Sequence, residues 1–273
     1  MWDALQFEFM RNALLAGVFV SISCGIIGSL IVVNRIVFIS GGIAHSAFGG
    51  IGLAFFLGLS PSLGAAVFAV GVAMIMGAVS FKNKHRADTV IGVLWAVGMA
   101  LGILFIDLTP GYHTDLMSYL FGSILTVSKA DIWLMAPLDT VILIAVFVFY
   151  KEFIAMSYDE EFSFIVGIPV KFLYFLLLGM TALSIVMIIK AVGLILTIAL
   201  LTIPPYIAER YTRSLAQMMA LSSLLGICFT FFGLWLSYKY NFTSGATIIL
   251  VAGTAFFLFQ AVKNIKGRVI SGE

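Results

Sequence analysis

Apolar residues in this chain come in runs of about twenty, the length that crosses the hydrocarbon of a bilayer, separated by short polar stretches. The runs fall at 14–33, 40–59, 61–81, 90–106, 132–150, 172–189, 192–207, 215–237 and 245–262. The pattern predicts an all-α, polytopic helical membrane protein with eight or nine transmembrane helices, the run at 14–33 being the one that could be a partial span. No linker, repeat or low-complexity tract divides residues 1–273, so one transmembrane domain is expected. The apolar piece at 116–127 is too short to cross.

Composition agrees: 62% of the residues are apolar and 10% charged, with a mean hydropathy of +1.14. Soluble chains carry roughly 25% charged residues, so the lipid bilayer must solvate much of this surface. A net charge of +2 is too small to suggest nucleic acid as a partner, and no basic cluster is dense enough to track phosphates. The charges that remain set orientation, because Lys and Arg stay on the cytoplasmic side. Nine alternating passes put Arg35, Lys82, Lys84, Arg86, Lys151, Lys171, Arg210, Arg213, Lys263, Lys266 and Arg268 on one side. Arg11, Lys129, Lys190 and Lys239 fall on the other. The N-terminus is therefore expected outside. Its first residues carry acids and no basic segment ahead of the apolar run, so no cleaved signal is expected. Cys24 and Cys228 sit inside apolar runs and read as small buried hydrophobes.

Few side chains in such a sequence carry chemistry. His45 lies in the second run, SGGIAHSAFGGIGLAFFLGL, about ten residues or roughly 15 Å along a helix from Arg35, close to the midplane. Gly41, Gly49 and Gly52 share its helical face. They serve either close helix packing or space for a substrate. An ionisable residue at this depth is a functional candidate by default, and imidazole suits zinc, and also manganese or iron. Asp139, two residues after Pro137 in the fifth run, either lines a path or holds the proline-disrupted turn. Outside, Asp107, His113 and Asp115 cluster in DLTPGYHTDLM, a set that hard and borderline cations accept.

On the cytoplasmic side, residues 157–169 predict a short helix that could dock into a partner's groove. Asp159, Glu160 and Glu161 open it, where acids suit the helix N-terminus. Phe162, Ile165 and Ile168 form an apolar stripe, and Gly167 with Pro169 ends it. Three acids argue against adhesion to an anionic inner leaflet. The sequence has no GxxxxGK[ST] loop, so any ATP hydrolysis belongs to a separate chain.

Four stretches resemble the permeases of metal-cation ABC importers over about residues 14–263. They are GGIAHSAFGGIGL around His45, DLMSYLFGSILTVSKAD from Asp115, FSFIVGIPV in the cytoplasmic helix and KAVGLILTIALLTIPPYIAER from Lys190. The resemblance implies an importer-type homodimer that carries a divalent metal, zinc first and then manganese or iron, with no permanently bound cofactor. It also implies two cytosolic ATPase subunits docked on the helix near 157–169 and an extracytoplasmic binding protein that delivers the ion. His45 matches a histidine of the family's intramembrane metal site, and Asp115 an aspartate of its external motif. The sequence departs from the family in three places: Gly41 stands where many members have aspartate, VLWAVGMA lacks a second histidine, and Ser123 replaces an acid. A secondary transporter or ion-driven channel is the alternative, although such proteins bury several acids and often carry inverted repeats. An intramembrane hydrolase is disfavoured, since adjacent His45 and Ser46 point about 100° apart on a helix.

Overall fold

The computed structural model describes the backbone of residues 6–82, 86–110 and 122–271, and side chains among these up to residue 261. Every described regular element is helical. In chain order these are α1 (Glu8–Val33), α2 (Val37–Phe56), α3 (Pro61–Lys82), α4 (Ala87–Asp107) and a 3₁₀ turn (Ile124–Thr126). There follow α5 (Lys129–Val148), α6 (Tyr150–Tyr158), α7 (Glu160–Ile165), α8 (Val170–Val192), α9 (Leu194–Glu209), α10 (Leu215–Tyr240) and α11 (Ser244–Ser271). Eight of them are long and apolar enough to cross a membrane, and α9 is a shorter apolar helix. Helices suit this sequence because each satisfies its own backbone polar groups where no water is available. The run at 14–33 is no partial span: α1 has 26 residues.

Polar contacts tie the helix ends into two groups. At one end Glu8 of α1 pairs with Lys129 of α5 at 3.0 Å, and Lys190 in the last turn of α8 pairs with Asp131 of α5. At the other end Asn34, just past α1, donates to the Ser157 hydroxyl at 3.0 Å, and the Ala216 amide of α10 donates to the Tyr150 hydroxyl at 3.0 Å. So α1 and α5 run in one direction and α8 in the other. Arg35, Lys151, Arg210 and Arg213 sit by the second end, which the basic bias assigns to the cytoplasm. Between the two ends α9 covers only 16 residues, about 24 Å of rise against about 30 Å of hydrocarbon. The expected nine passes therefore correspond to the eight long helices and this short one.

What separates α8 from α9 is Gly193, at φ +81° and ψ 170°, a conformation open to glycine and strained for other residues. Gly122 packs onto that break: a Cβ built on it would lie 2.2 Å from the Gly193 nitrogen. Next to this joint Ser128 and Asp131 form a reciprocal capping box at the start of α5, and Asp131 also holds Lys190. An exposed ion pair contributes about 0–1 kcal/mol, while loss of a capping partner costs about 0.5–2 kcal/mol. Asp131→Ala is accordingly expected to lower the melting temperature of the detergent-solubilised protein more than Lys190→Ala. Equal shifts would mean that the box adds nothing beyond the ion pair.

One contiguous apolar core runs from Ala13 of α1 to Ile248 of α11. The α1–α10 seam is lined by small residues, with Gly17, Ser21 and Gly25 facing Thr230, Gly226 and Ser223, which lets the backbones approach and adds dispersion contact that lipid tails do not supply. By contrast α3, α4 and α5 turn large apolar side chains outward, Phe147 being 84% exposed. Water does not wet such a belt, and lipid does. Cys24 is buried and Cys228 half-buried, both as free thiols.

Candidate functional site

His45 is the ninth residue of α2, about 12 Å along the helix from its start and near its middle. The face it shares with Gly49 and Gly52 is pressed against α4. A Cβ on Gly49 would lie 2.7 Å from the Gly98 carbonyl oxygen, and one on Gly52 2.2 Å from that of Gly102. The Ser46 hydroxyl donates to the Leu94 carbonyl at 3.0 Å. Of the two roles open to these glycines, Gly49 and Gly52 serve close packing: α4 occupies the space beside them. Gly41 instead faces the Trp95 ring.

Two α4 side chains fix the imidazole. Trp95 stacks on it with ring centroids 4.0 Å apart and planes at 16°, and the Met99 sulfur lies 3.2 Å from Nδ1. Neither residue was singled out from the sequence, where VLWAVGMA registered only as lacking a histidine. Their spacing of four, parallel to the Gly98 and Gly102 spacing of four, was the available signal that all four share one face. Trp95 in turn packs on Phe38 at 6.1 Å. Phe38 lines a cavity of about 420 Å³ at the cytoplasmic end, together with Arg35, Ser80, Asp88, Glu160 and Tyr174. The Phe38–Trp95 pair thus lies between His45 and a cavity with acidic groups in its wall.

Other candidate residues stand apart from this pair of helices. Asp139 of α5 is 4% exposed and accepts a hydrogen bond from the Ser23 hydroxyl of α1 at 2.7 Å. Its second oxygen has no hydrogen-bond partner. Asp107 is exposed at the end of α4, while His113 and Asp115 lie outside the described residues. Among the described residues no three His, Cys, Asp or Glu side chains gather as a ready-made metal cage.

The cytoplasmic segment folds as its acids suggest, with one change. Asp159 caps α7 by accepting from the Phe162 amide at 2.9 Å, and Glu160 and Glu161 fill its first turn. Gly167, at φ +89°, and Pro169, before α8, follow its end. The expected stripe of Phe162, Ile165 and Ile168 is divided, because α7 has only six residues. Phe162, Phe164, Ile165 and Val166 are exposed, whereas Ile168 packs against the core and Ser163 is the buried residue of α7. The outward face is therefore more apolar than the stripe predicted.

Comparison with known proteins places this geometry. The family profile described as the ABC 3 transport family matches residues 6–263. An uncharacterised membrane protein of Synechocystis is 53% identical over 97% of this chain and 94% of its own. The manganese transport system membrane protein MntC of Listeria monocytogenes is 34% identical over 93% of this chain and 90% of its own. Among solved structures, PsaBC from Streptococcus pneumoniae in complex with Fab superposes with a TM-score of 0.85 at 34% identity, over 94% of this chain and 93% of that one.

Proposed function

The chain belongs to the ABC 3 transport family, and from that premise we propose that it is the membrane-spanning permease subunit of an ATP-driven importer whose cargo is a divalent transition metal. The observation that carries this reading is His45 in mid-span, stacked on Trp95 and linked through Phe38 to a cytoplasmic cavity. A borderline metal ion takes imidazole, and an ionisable side chain in mid-span is a functional candidate by default. The described residues of one chain gather too few donors for a closed coordination shell, and a homodimer would supply more. An external binding protein would deliver the ion. ATP binding and hydrolysis in two cytosolic partner chains would switch which side of the pathway is open, as alternating access requires.

The metal is the finer question. Manganese is the ion named for the Listeria relative and for a Streptococcus gordonii permease 30% identical over 97% of this chain, and it is the first reading. Zinc is the second reading, favoured by one observation: the donors that meet at His45 are nitrogen and sulfur, without the carboxylate that manganese prefers. The decisive experiment measures accumulation of manganese, zinc and iron, side by side, in cells expressing this chain with its ATPase and binding protein. Uptake that needs an intact ATPase supports the reading. Uptake that continues when the ATPase is omitted would favour a secondary transporter or channel.

Transmission of the ATPase cycle is assigned to α7. Its capped, acid-led turn presents Phe162, Phe164 and Ile165 outward at the cytoplasmic end, a knob of the kind that seats in a partner's groove. Phe162→Asp combined with Ile165→Asp is expected to abolish co-purification of the ATPase while the permease still inserts. Retained association would remove α7 from the contact.

A further inference from the structure

We propose that Met99 is a metal donor beside His45 and tilts selectivity of the pathway toward zinc-like, softer ions and away from manganese. This inference rests on the metal-import reading above and extends it to a residue outside the four stretches that carry the family resemblance. The argument is geometric first. An ion held about 2.1 Å from an imidazole nitrogen and about 2.3 Å from a sulfur needs those two atoms about 3.1–3.6 Å apart for bond angles of about 90–109°. The His45 Nδ1 to Met99 Sδ separation is 3.2 Å, inside that bite, and in the tautomer that carries its proton on Nε2 the ring offers its Nδ1 lone pair to an ion beside the sulfur.

The surroundings hold the pair in that register. Ser46, bonded to the Leu94 carbonyl, and the glycine contacts of Gly49 with Gly98 and Gly52 with Gly102 lock α2 against α4. Trp95 sets the plane of the imidazole. Both donors are half-buried, so each keeps part of its surface free of its own chain. No other hydrogen-bonding group of a described residue meets the ring. The chemistry then follows from softness. Thioether sulfur is polarizable and prefers soft and borderline ions, imidazole suits zinc and iron, and manganese favours carboxylate, carbonyl and water. Gly41 puts no carboxylate on this face, and Asp139 is engaged with Ser23 between α1 and α5. The described donors between α2 and α4 are therefore one nitrogen and one sulfur per chain.

The test is competitive uptake of equimolar zinc and manganese into proteoliposomes holding the permease assembled with its ATPase and supplied with its binding protein. Met99→Leu removes the sulfur at similar volume. Met76→Leu is the control, since Met76 packs behind Gly42 of the same helix and does not meet His45. The zinc-to-manganese ratio is expected to fall about tenfold in Met99→Leu, the scale on which neighbours of a metal site act, and to stay at the wild-type value in Met76→Leu. If Met99→Leu fails to assemble, Met99→Gln replaces sulfur with an amide, and the ratio is expected to move toward manganese. An unchanged ratio in an assembled Met99 variant overturns the proposal. So does an equal loss of both metals, which would make Met99 a positioning residue for His45. A wild-type complex that transports neither ion refutes the metal-import reading itself, a result separate from the behaviour of the variants.

Discussion

His45→Ala is expected to reduce metal uptake at least about a hundredfold while leaving the protein in the membrane at its normal level. Even residues that merely orient a metal ligand affect affinity about 10–100-fold, and a direct donor in a site with few donors counts for more. The imidazole is also the ionisable group that the α2–α4 contact builds around, between Trp95 and Met99. Removing it leaves a small void rather than an unpaired charge, so the helices have little reason to separate. The measurement is metal accumulation at matched membrane abundance, with ATPase co-purification as the check on assembly. Normal uptake by His45→Ala would make His45 a packing residue and move the search for the path to Asp139 and the external segment.

The second large effect falls on the fold itself. Gly52→Leu is expected to destroy the α2–α4 contact, because a Cβ at residue 52 would already lie 2.2 Å from the Gly102 carbonyl oxygen and 2.7 Å from its Cα. Backbone cannot step aside as a flexible side chain can. Overpacking a tight core costs about 1–3 kcal/mol when side chains give way, and here whole helices must move. In lipid, close van der Waals contact is what holds helices together, so separating α2 from α4 removes much of the reason for their pairing. The protein is expected either to be degraded or to lose stability by several degrees in a thermal scan, with His45 displaced from Met99 and uptake lost. Gly92→Leu, at a position where an added Cβ meets nothing within 4 Å, is the matched control and is expected to be tolerated. Similar stability of the two variants would show that the α2–α4 approach is looser than the geometry indicates.

Much of this architecture is legible in one dimension because the bilayer is a demanding solvent. A run of about twenty apolar residues has few options other than a helix, so eight or nine passes were readable, and the eight long helices with the short α9 fill that range. The α7 turn was legible from its acids and its glycine, which act locally through capping and backbone preference. The errors were of another kind. Counting residues puts Ile168 on the outward stripe, but α7 stops at Ile165 and the chain turns at Gly167, which leaves Ile168 half-buried against the core. The run at 14–33 looked like a possible partial span because its polar flank hid a helix that begins at Glu8.

The candidate site divides the same way. His45 stood out because an imidazole is rare at such depth, a fact of composition and position. That the family's motifs meet was invisible until the chain folded: Asp131 of one stretch pairs with Lys190 of another, and Gly122 packs on Gly193. Met99 and Trp95 are members of an apolar run whose spacing puts them on one helical face, but nothing local says that this face meets His45. The sequence by itself determined that this is a helical membrane protein and where its rare polar groups lie, since burial in lipid acts on each segment separately. Which helix covers His45, which sulfur meets its nitrogen and which glycines are filled by backbone were decided only by tertiary structure. Between helices that are apolar all round, packing is set by the shapes of two surfaces together, and no single segment encodes it.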